Sequence, residues 1–399
     1  MLNRLLWRLG QALKRRVEQL ERGLPDSWSK LARRARAQPA GDPTALAGRF
    51  CPAPFRQVDL YDSGKAYCCC SSWLPTPMGD LRQSELLDLW NNRVMQRIRE
   101  SIYDGSFRYC RHSVCPAILN DSLPHLRDAG KDPEFGADVL ARRTVLSTPP
   151  LLLNLCNDKS CNLWCPSCRT VRINHHSGPE YQFHKELQDR LLKPYLSEPT
   201  DREFTLSITG SGDPFASKVF RELLYGLDGS LFPNMRINLQ TNGVLLTPRN
   251  WQRMHRIHDN IAAIFISFDA GSEATYDITR RGGHWGHLLQ NCARLGELRA
   301  RNEIRHLRFD FVVQAANYKE MAAFVQLARE FGADRAYFSQ LMNWGTWSGS
   351  DFHAQCPWLP GHPSHDEFLA VLCDPVMEDP LVDLGNLTEY RNEALSRVS

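Results

Sequence analysis

Residues 151–168 read LLLNLCNDKSCNLWCPSC, and this stretch decides the fold of the chain. It begins with an apolar run interrupted by one Asn, a pattern typical of a buried strand. Cys161, Cys165 and Cys168 then form a Cys-x3-Cys-x2-Cys loop, whose three thiolates suit a four-iron cubane and leave one iron open. A loop that follows a strand of a parallel sheet lies at the edge where such sheets carry their sites. The stretch therefore predicts a metal-binding loop at the mouth of an α/β fold.

The chain downstream alternates between strand and helix patterns. Runs of strand-forming residues predict five further strands, at residues 204–209, 236–240, 261–268, 307–313 and 336–339. Helix boundaries are indicated by Thr247 before Pro248, by a capping-box pattern from Asn317 to Glu320, and by Gly332 at a helix end. Six strands with intervening helices predict a parallel sheet wound in the usual right-handed sense.

The cysteine loop after an apolar strand resembles the signature of the radical S-adenosylmethionine superfamily. The resemblance implies an α/β fold, a partial (β/α)6 barrel related to the TIM barrel, which we assign to residues 146–345. It implies a [4Fe–4S] cluster on Cys161, Cys165 and Cys168, with S-adenosylmethionine chelating the open iron. In that family, reductive cleavage of S-adenosylmethionine gives a 5′-deoxyadenosyl radical that abstracts hydrogen from a substrate carbon. We therefore expect an enzyme of this superfamily.

Further motifs occur in the order in which the same superfamily has them. The segment TGSGDP after the second strand resembles the family's Gly-Gly-Glu loop, and the ends of later strands resemble its cofactor-facing positions. The chain departs from the usual pattern at Ser211 and Asp213, where Gly and Glu are usual, and at Ser167, where many members have an aromatic residue. The residues that the resemblance implies for S-adenosylmethionine binding are Gly210, Ser211, Gly212, Asp213, Thr241, Asn242, Ser267, Asp269 and Arg280.

A second group of cysteines precedes the barrel. Two short β-rich runs flank Asp62-Ser63-Gly64 and predict a β-hairpin, and Ser84 is expected to cap a helix over residues 85–102. Four cysteine positions in such a unit can converge on one Zn²⁺ ion or one iron–sulfur cluster, and ligand chemistry alone does not decide between them. The candidate ligands are Cys51, one of Cys68, Cys69 and Cys70, and the pair Cys110 and Cys115.

Residues 49–145 resemble a SPASM or twitch module, which holds an auxiliary iron–sulfur cluster. The spacing Gly64-x4-Cys69 matches that module's Gly-x4-Cys element and favours Cys69 over its two neighbours. The resemblance implies one auxiliary cluster on Cys51, Cys69, Cys110 and Cys115. In most relatives the module follows the barrel, whereas here a small cysteine-rich α+β module is expected in front of it.

The cysteine content and the net charge of the chain indicate its cellular location and its partners. The 399 residues include 13 cysteines, an odd number that excludes complete internal pairing, and no convincing secretory signal precedes them. Clustered cysteines without such a signal favour a reducing, cytoplasmic location. A net charge of +3 gives no reason to expect nucleic acid as a partner.

The two ends of the chain lie outside the barrel and the module. Residues 1–48 are expected to form a basic amphipathic helical arm and a linker, because residues 1–40 carry ten Lys and Arg against three Asp and Glu. Residues 1–36 have two alternative roles: attachment to an anionic inner membrane surface, or packing on a partner protein or the chain itself, which we favour. Residues 346–399 form a C-terminal extension of unassigned role.

The expected function is oxidative modification of a peptide or protein, or of a sugar or glycan. An auxiliary cluster favours net oxidation because it can accept or relay an electron, and such an enzyme requires an external one-electron reductant. The alternative is a non-catalytic iron–sulfur or zinc protein with a degenerate barrel.

Overall fold

A computed structural model describes residues 46–208 and 211–398. Its strands are β1 Gln57–Tyr61, β2 Lys65–Tyr67, β3 Gly79–Asp80, β4 Leu152–Cys156, β5 Phe204–Ile208, β6 Met235–Thr241, β7 Ile261–Ser267, β8 Leu307–Val313, β9 Arg335–Gln340 and β10 Val382–Asp383. They form one ten-stranded sheet in the order β10-β9-β8-β7-β6-β5-β4-β1-β2-β3.

Helices connect these strands. In chain order they are α1 Ala53–Arg56, α2 Leu86–Trp90, α3 Arg93–Tyr103, α4 Pro116–Leu119, α5 Leu126–Ala129, α6 Gly136–Leu140, α7 Gly178–Leu196, α8 Lys218–Gly226, α9 Pro248–Arg253, α10 Glu273–Thr279, α11 Trp285–Ala300, α12 Met321–Glu330, α13 Gly349–His353, α14 His365–Leu372 and α15 Thr388–Val398. Short 3-10 helices cover Gly229–Leu231, His255–Asn260, Tyr318–Glu320, Pro375–Glu378 and Gly385–Leu387.

Strands β4 to β9 are the predicted six strands. Each is parallel to the next, and their spatial order follows their order in the chain. Side chains alternate between the two faces of a strand, and the outer face of β4 to β6 is apolar and fully buried in the core that also contains residues of α7 and α8. The predicted α/β fold with a partial (β/α)6 barrel is therefore confirmed, as an open sheet whose carboxyl ends share one edge.

The cysteine-rich module is joined to the barrel through the sheet. β1 and β2 form the predicted hairpin, whose turn places Gly64 at a φ of 82° in the left-handed region. β1 also pairs in parallel with β4, with Asp59 opposite Asn154. The sequence indicated the hairpin but not this pairing, which places the module's first strand in the wall of the barrel.

The prediction of one continuous helix over residues 85–102, capped by Ser84, is wrong. The chain forms α2 and α3 instead, and they are separated at Asn91 and Asn92. The side chain of Asn92 accepts from the amide of Met95 and so begins α3, while the amide group of Asn91 bonds to both backbone groups of Leu146. Two Asn side chains that compete for backbone groups thus divide an otherwise periodic segment.

The capping box expected at Asn317 and Glu320 is also absent from the structure. Asn317 Nδ2 donates to the carbonyl of Asp269 at 2.9 Å, and the Glu320 carboxylate accepts from Gly271 N, Ser272 Oγ and Thr275 Oγ1. Both side chains therefore hold the loop after β7 rather than the start of their own helix. Thr247 and Gly332 act as predicted, since Thr247 caps α9 and Gly332 lies at a φ of 65° after α12.

The chain ends are described in part. The arm and linker were predicted at residues 1–48, and residues 1–45 lie outside the part of the chain that the structure describes. The C-terminal extension adds β10, which pairs in parallel with β9, and then α15. No helix among residues 46–208 and 211–398 is long and apolar enough to cross a membrane.

Candidate cluster and cofactor site

The three cysteines of the loop line one cavity at the carboxyl edge of the sheet. Cys161, Cys165 and Cys168 share its wall with residues from the ends of β6 and β7. The loop is anchored on both sides: Cys161 N donates to Ile173 O at 2.9 Å, and Trp164 N donates to Arg281 O at 3.1 Å. The remaining lining residues are Leu163, Arg169, Gly212, Gln240, Thr241, Asn242, Ser267 and Arg280.

Donor groups surround the three sulfur atoms. Cys161 Sγ lies 3.4 Å from Leu163 N and 3.8 Å from Asn242 Nδ2, Cys168 Sγ lies 3.3 Å from an Arg169 guanidinium nitrogen, and Cys165 Sγ lies 3.9 Å from one of Arg280. Burial raises the pKa of Cys161 to about 12, and the nearby Asp213 adds to the rise. Metal ligands must be thiolates, and the donors and guanidinium charges stabilise that form once a metal replaces the protons. These residues therefore fit an anionic iron–sulfur cluster.

Sequence reasoning missed Arg169, which immediately follows the third cysteine. Its guanidinium group donates to Cys168 Sγ, to the carbonyl of Lys159 and, at 2.6 Å, to the carbonyl of Ser211. Arg169 thus ties the cysteine loop to the loop after β5. Its place next to Cys168 was the only signal in the sequence.

The loop after β5 packs tightly on the segment before the cysteines. Gly210 and its neighbour Thr209 lie outside the described residues, so this part of the predicted cofactor loop is not described. Ser211 Oγ donates to the carbonyl of Cys156 at 2.8 Å. A Cβ at Gly212 would collide with the carbonyl oxygen of Ser160, so only Gly allows this approach.

Asp213 lies beneath the cavity and does not line it. Its fully buried carboxylate accepts from Thr241 Oγ1 at 2.6 Å, from Asn242 N at 2.9 Å, and from the amides of Phe215 and Ala216. Burial raises the pKa of Asp213, while these hydrogen bonds oppose the rise. The carboxylate is fully engaged within the protein, so it positions the Thr241-Asn242 turn instead of presenting a free oxygen.

Replacing Asp213 by Asn is expected to destabilise the protein by about 2–6 kcal/mol, because an amide leaves two of four buried donors unmatched at about 1–3 kcal/mol each. Thr241→Val is the matched control, since it removes a single donor to the same carboxylate. Thermal unfolding followed by circular dichroism measures both. Equal melting temperatures for wild type and Asp213→Asn would contradict the positioning role.

Ser267 belongs to a polar network on the inner face of β6, β7 and β8. Gln240 Nε2 donates at 2.8 Å both to Ser267 Oγ and to a carboxylate oxygen of Asp310. Arg308 Nε in turn donates to Asp310 at 2.6 Å. Gln240 was not among the predicted site residues, although it is the last residue of the predicted strand 236–240 and directly precedes Thr241 and Asn242.

Asp269 and Arg280 form a buried ion pair beside the cysteine loop. Their closest nitrogen and oxygen atoms are 2.7 Å apart, and the two side chains are 1% and 12% exposed. Asp269 has a φ of 58°, and its other oxygen accepts from Val312 N at 2.7 Å. Arg280 lines the cavity, and its buried Nε has no hydrogen-bond partner among the described residues. Asp269 therefore orients a guanidinium group at the wall of the cavity, and its Nε is left unpaired among the described residues.

The four predicted auxiliary ligands lie in one part of the module. Burial raises the pKa of Cys51 to about 11, and the neighbouring Cys115 adds to the rise. Burial raises the pKa of Cys110 to about 12, and interactions with the Cys51 and Cys115 side chains add to the rise. Arg111 N donates to Trp73 O at 2.7 Å, which joins the Cys110–Cys115 loop to the turn after Cys70. The structure thus brings distant parts of the module together around Cys51.

The three consecutive cysteines differ in burial and in their neighbours. Burial raises the pKa of both Cys68 and Cys69, and the Cys51 thiol contributes to the rise at each of them. Cys68 is fully buried in the core, whereas Cys69 is partly exposed. Cys70 instead neighbours Tyr61 and Cys156. Cys69 stays our prediction for the ligand, with Cys68 as its rival.

Comparisons with known proteins identify the module. Residues 51–116 match the family model of the SPASM iron–sulfur cluster-binding domain. This match confirms the predicted SPASM-like module and its iron–sulfur character, and it spans all four predicted auxiliary ligands. A search of proteins with curated functions found no significantly similar sequence.

Solved structures similar to this chain include SuiB of Streptococcus suis bound to its precursor peptide SuiA, at 17% identity and a TM-score of 0.36. The match covers 48% of this chain and 40% of SuiB, so the chain spans about two fifths of that protein. TYW1 with a lysine–pyruvate adduct matches at 16% identity and a TM-score of 0.35, covering 58% of this chain and 72% of TYW1. anSMEcpe with bound AdoMet and the Cp18Cys peptide matches at 16% identity and a TM-score of 0.36, covering 56% and 58% of the two chains.

Proposed function

We propose that this chain is a radical S-adenosylmethionine enzyme with one auxiliary iron–sulfur cluster. The observation that carries the proposal is the cavity in which Cys161, Cys165 and Cys168 meet the ends of parallel strands and the side chain of Arg280. Three thiolates are one fewer than a closed four-iron cubane needs, which leaves an iron for a second ligand. The SPASM match adds a domain that binds a second cluster.

Different residues around the cavity are proposed to bind the cluster and S-adenosylmethionine. Cys161, Cys165 and Cys168 would hold the catalytic cluster, and Arg280, Asn242 and Gly212 would contact S-adenosylmethionine. When bound, the cluster and S-adenosylmethionine together supply a 5′-deoxyadenosyl radical able to abstract hydrogen from a substrate carbon. Arg280 offers a positive charge and a free Nε donor for a carboxylate, and Asp269 keeps that guanidinium group in place. Ser211 and Asp213 would act by positioning the two loops.

The inner face of the sheet supports a polar substrate. The register aligns Asp59, Asn154, Ser207 and Asn238 in one row across β1, β4, β5 and β6. Asn154 donates to one oxygen of Asp59, while the side chains of Ser207 and Asn238 form no hydrogen bond to any described residue. Free polar groups on a concave wall suit a ligand rich in donors and acceptors, such as a peptide backbone or a sugar. Oxidative modification of a peptide or glycan, with electrons from an external reductant, is the proposed reaction class.

Anaerobic reconstitution with iron and sulfide, followed by incubation with S-adenosylmethionine and dithionite, tests the proposal. The expected protein binds about eight iron atoms, as two four-iron clusters, and forms 5′-deoxyadenosine. Stoichiometric zinc with no 5′-deoxyadenosine would favour the non-catalytic alternative. We also propose that the enzyme is cytoplasmic and that residues 1–36 contact a membrane surface or a partner protein.

The auxiliary ligand set is tested by a pair of neighbouring substitutions. Cys69→Ser is expected to lose about four iron atoms, while Cys68→Ser keeps them, because only Cys69 is proposed to bind the cluster. Iron and sulfide analysis of both variants, with Cys161, Cys165 and Cys168 intact, gives the answer. The reverse pattern would assign the ligand to Cys68.

A further inference from the structure

Two histidines and an aspartate converge outside the cluster cavity. Asp158 precedes the cysteine loop, His175 follows it, and His184 lies on α7. One ligand atom from each lies within 4.8 Å of the other two. None of these three residues lines the cavity of the cysteine loop, so the group that they form is separate from the proposed iron–sulfur site.

The spacing of the three side chains is compatible with binding one metal ion. Asp158 Oδ1 lies 3.1 Å from His175 Nδ1 and 3.5 Å from His184 Nδ1. Ligand atoms bound at about 2.0–2.1 Å to a tetrahedral Zn²⁺ ion are about 3.3 Å apart, which lies between these two distances. The side chains of Asp158 and His184 are 0% and 6% exposed, whereas that of His175 is 25% exposed and so in contact with solvent.

One buried nitrogen among these three side chains makes no well-formed hydrogen bond, since Asp158 Oδ1, towards which it points, is 3.5 Å away. His184 Nδ1 is buried and forms no hydrogen bond to a described residue, although it points at the same carboxylate oxygen as His175 Nδ1. A buried nitrogen without a partner is unfavourable, and a bound cation would satisfy it. Serines also hold the carboxylate: Ser217 Oγ donates to Asp158 Oδ2 at 2.6 Å, while Ser160 N and Ser160 Oγ each donate at 2.9 Å to Oδ1, the oxygen that the two histidines approach. Hydrogen bonds of this kind orient metal-binding carboxylates.

We propose that Asp158, His175 and His184 bind a divalent transition-metal ion, Zn²⁺ or Fe²⁺, at a third metal site. Two imidazoles and one carboxylate are ligands that both ions accept, and three protein ligands leave a position for water. Two of the ligands flank the whole Cys161–Cys168 loop and the third lies on α7. The ion therefore fastens both ends of the cluster loop to the first helix of the barrel.

Zinc binding to the holoenzyme with intact clusters tests this site. The protein is treated with a weak chelator that leaves the visible absorbance of the clusters unchanged, and is then titrated with Zn²⁺ by calorimetry. Wild type is expected to bind one equivalent, and His184→Gln to bind it at least about 100-fold more weakly, beyond what loss of an outer partner causes. His176→Gln is the matched control, because the His176 ring forms a hydrogen bond only to the carbonyl of Ala216 among the described residues and is not one of the three proposed ligands.

Spectroscopy separates this site from zinc bound at cysteines. The zinc absorption edge of the loaded protein is expected to show nitrogen and oxygen neighbours at about 2.0–2.1 Å and no sulfur at about 2.3 Å. The same titration with Fe²⁺ under argon decides which ion binds more tightly. Equal zinc binding by wild type and His184→Gln, or sulfur neighbours around the zinc, would overturn the proposal. Formation of 5′-deoxyadenosine is measured separately, so failure of this site leaves the proposed function standing, and the reverse also holds.

Discussion

Replacing Cys161 by Ala is expected to remove about four of about eight iron atoms and to abolish 5′-deoxyadenosine formation. Cys161 is one of only three cysteines that line the described cavity, so its loss leaves two thiol ligands for a cluster that needs at least three. The auxiliary cluster should remain, because its proposed ligands all lie in the module at residues 51–116. Iron and sulfide analysis, together with chromatography of the nucleoside product, measures both effects in one preparation.

Cys292→Ala is the matched control for this substitution. Cys292 is a fully buried thiol in α11 and belongs to the apolar core, so its loss should leave the iron content and the product unchanged. A Cys161→Ala protein that keeps about eight iron atoms, or that still forms 5′-deoxyadenosine, would show that the catalytic cluster has other ligands. A Cys292→Ala protein that loses iron would show instead that thiol substitutions unfold the chain.

The strands of the barrel were predictable because each one is a short apolar run between turn residues. The predicted segment 307–313 agrees with β8 at both ends, and β9 extends one residue beyond each end of the prediction. The pairing of β1 with β4 was not predictable in this way. It joins strands more than 90 residues apart, and no local pattern records which edge of a sheet a hairpin will occupy.

The sequence was sufficient to name most residues of the candidate site, but it did not show what several of them contact. Asp213 and Asp269 were expected to face S-adenosylmethionine, yet the first is buried under the Thr241-Asn242 turn and the second is paired with Arg280. Whether a carboxylate faces a cavity or the core depends on packing between distant loops, which spacing along the chain does not encode. For the same reason, the contacts of Arg169 and Gln240 became visible only in the fold.

Replacing Arg280 by Gln is expected to lower both the stability of the protein and its affinity for S-adenosylmethionine. Removing one partner of a buried ion pair leaves an uncompensated charge and costs about 3–5 kcal/mol. Asp269 is 1% exposed, so solvent cannot replace the lost guanidinium group. Loss of a charged hydrogen bond of about 1.5–3 kcal/mol to the ligand's carboxylate should weaken S-adenosylmethionine binding by about 10- to 140-fold.

The double variant Arg280→Gln with Asp269→Asn separates these two effects. Removing both charges should restore part of the stability lost in Arg280→Gln, because the unpaired carboxylate is gone, and neighbouring residues commonly show coupling of about 0.5–3 kcal/mol. Affinity for S-adenosylmethionine should stay low in the double variant, since the guanidinium group is still missing. Thermal unfolding and equilibrium dialysis of the reconstituted proteins measure the two quantities independently. If stability and affinity recover together, Arg280 acts only by holding the loop after β7, and the ligand's carboxylate must be bound by another residue.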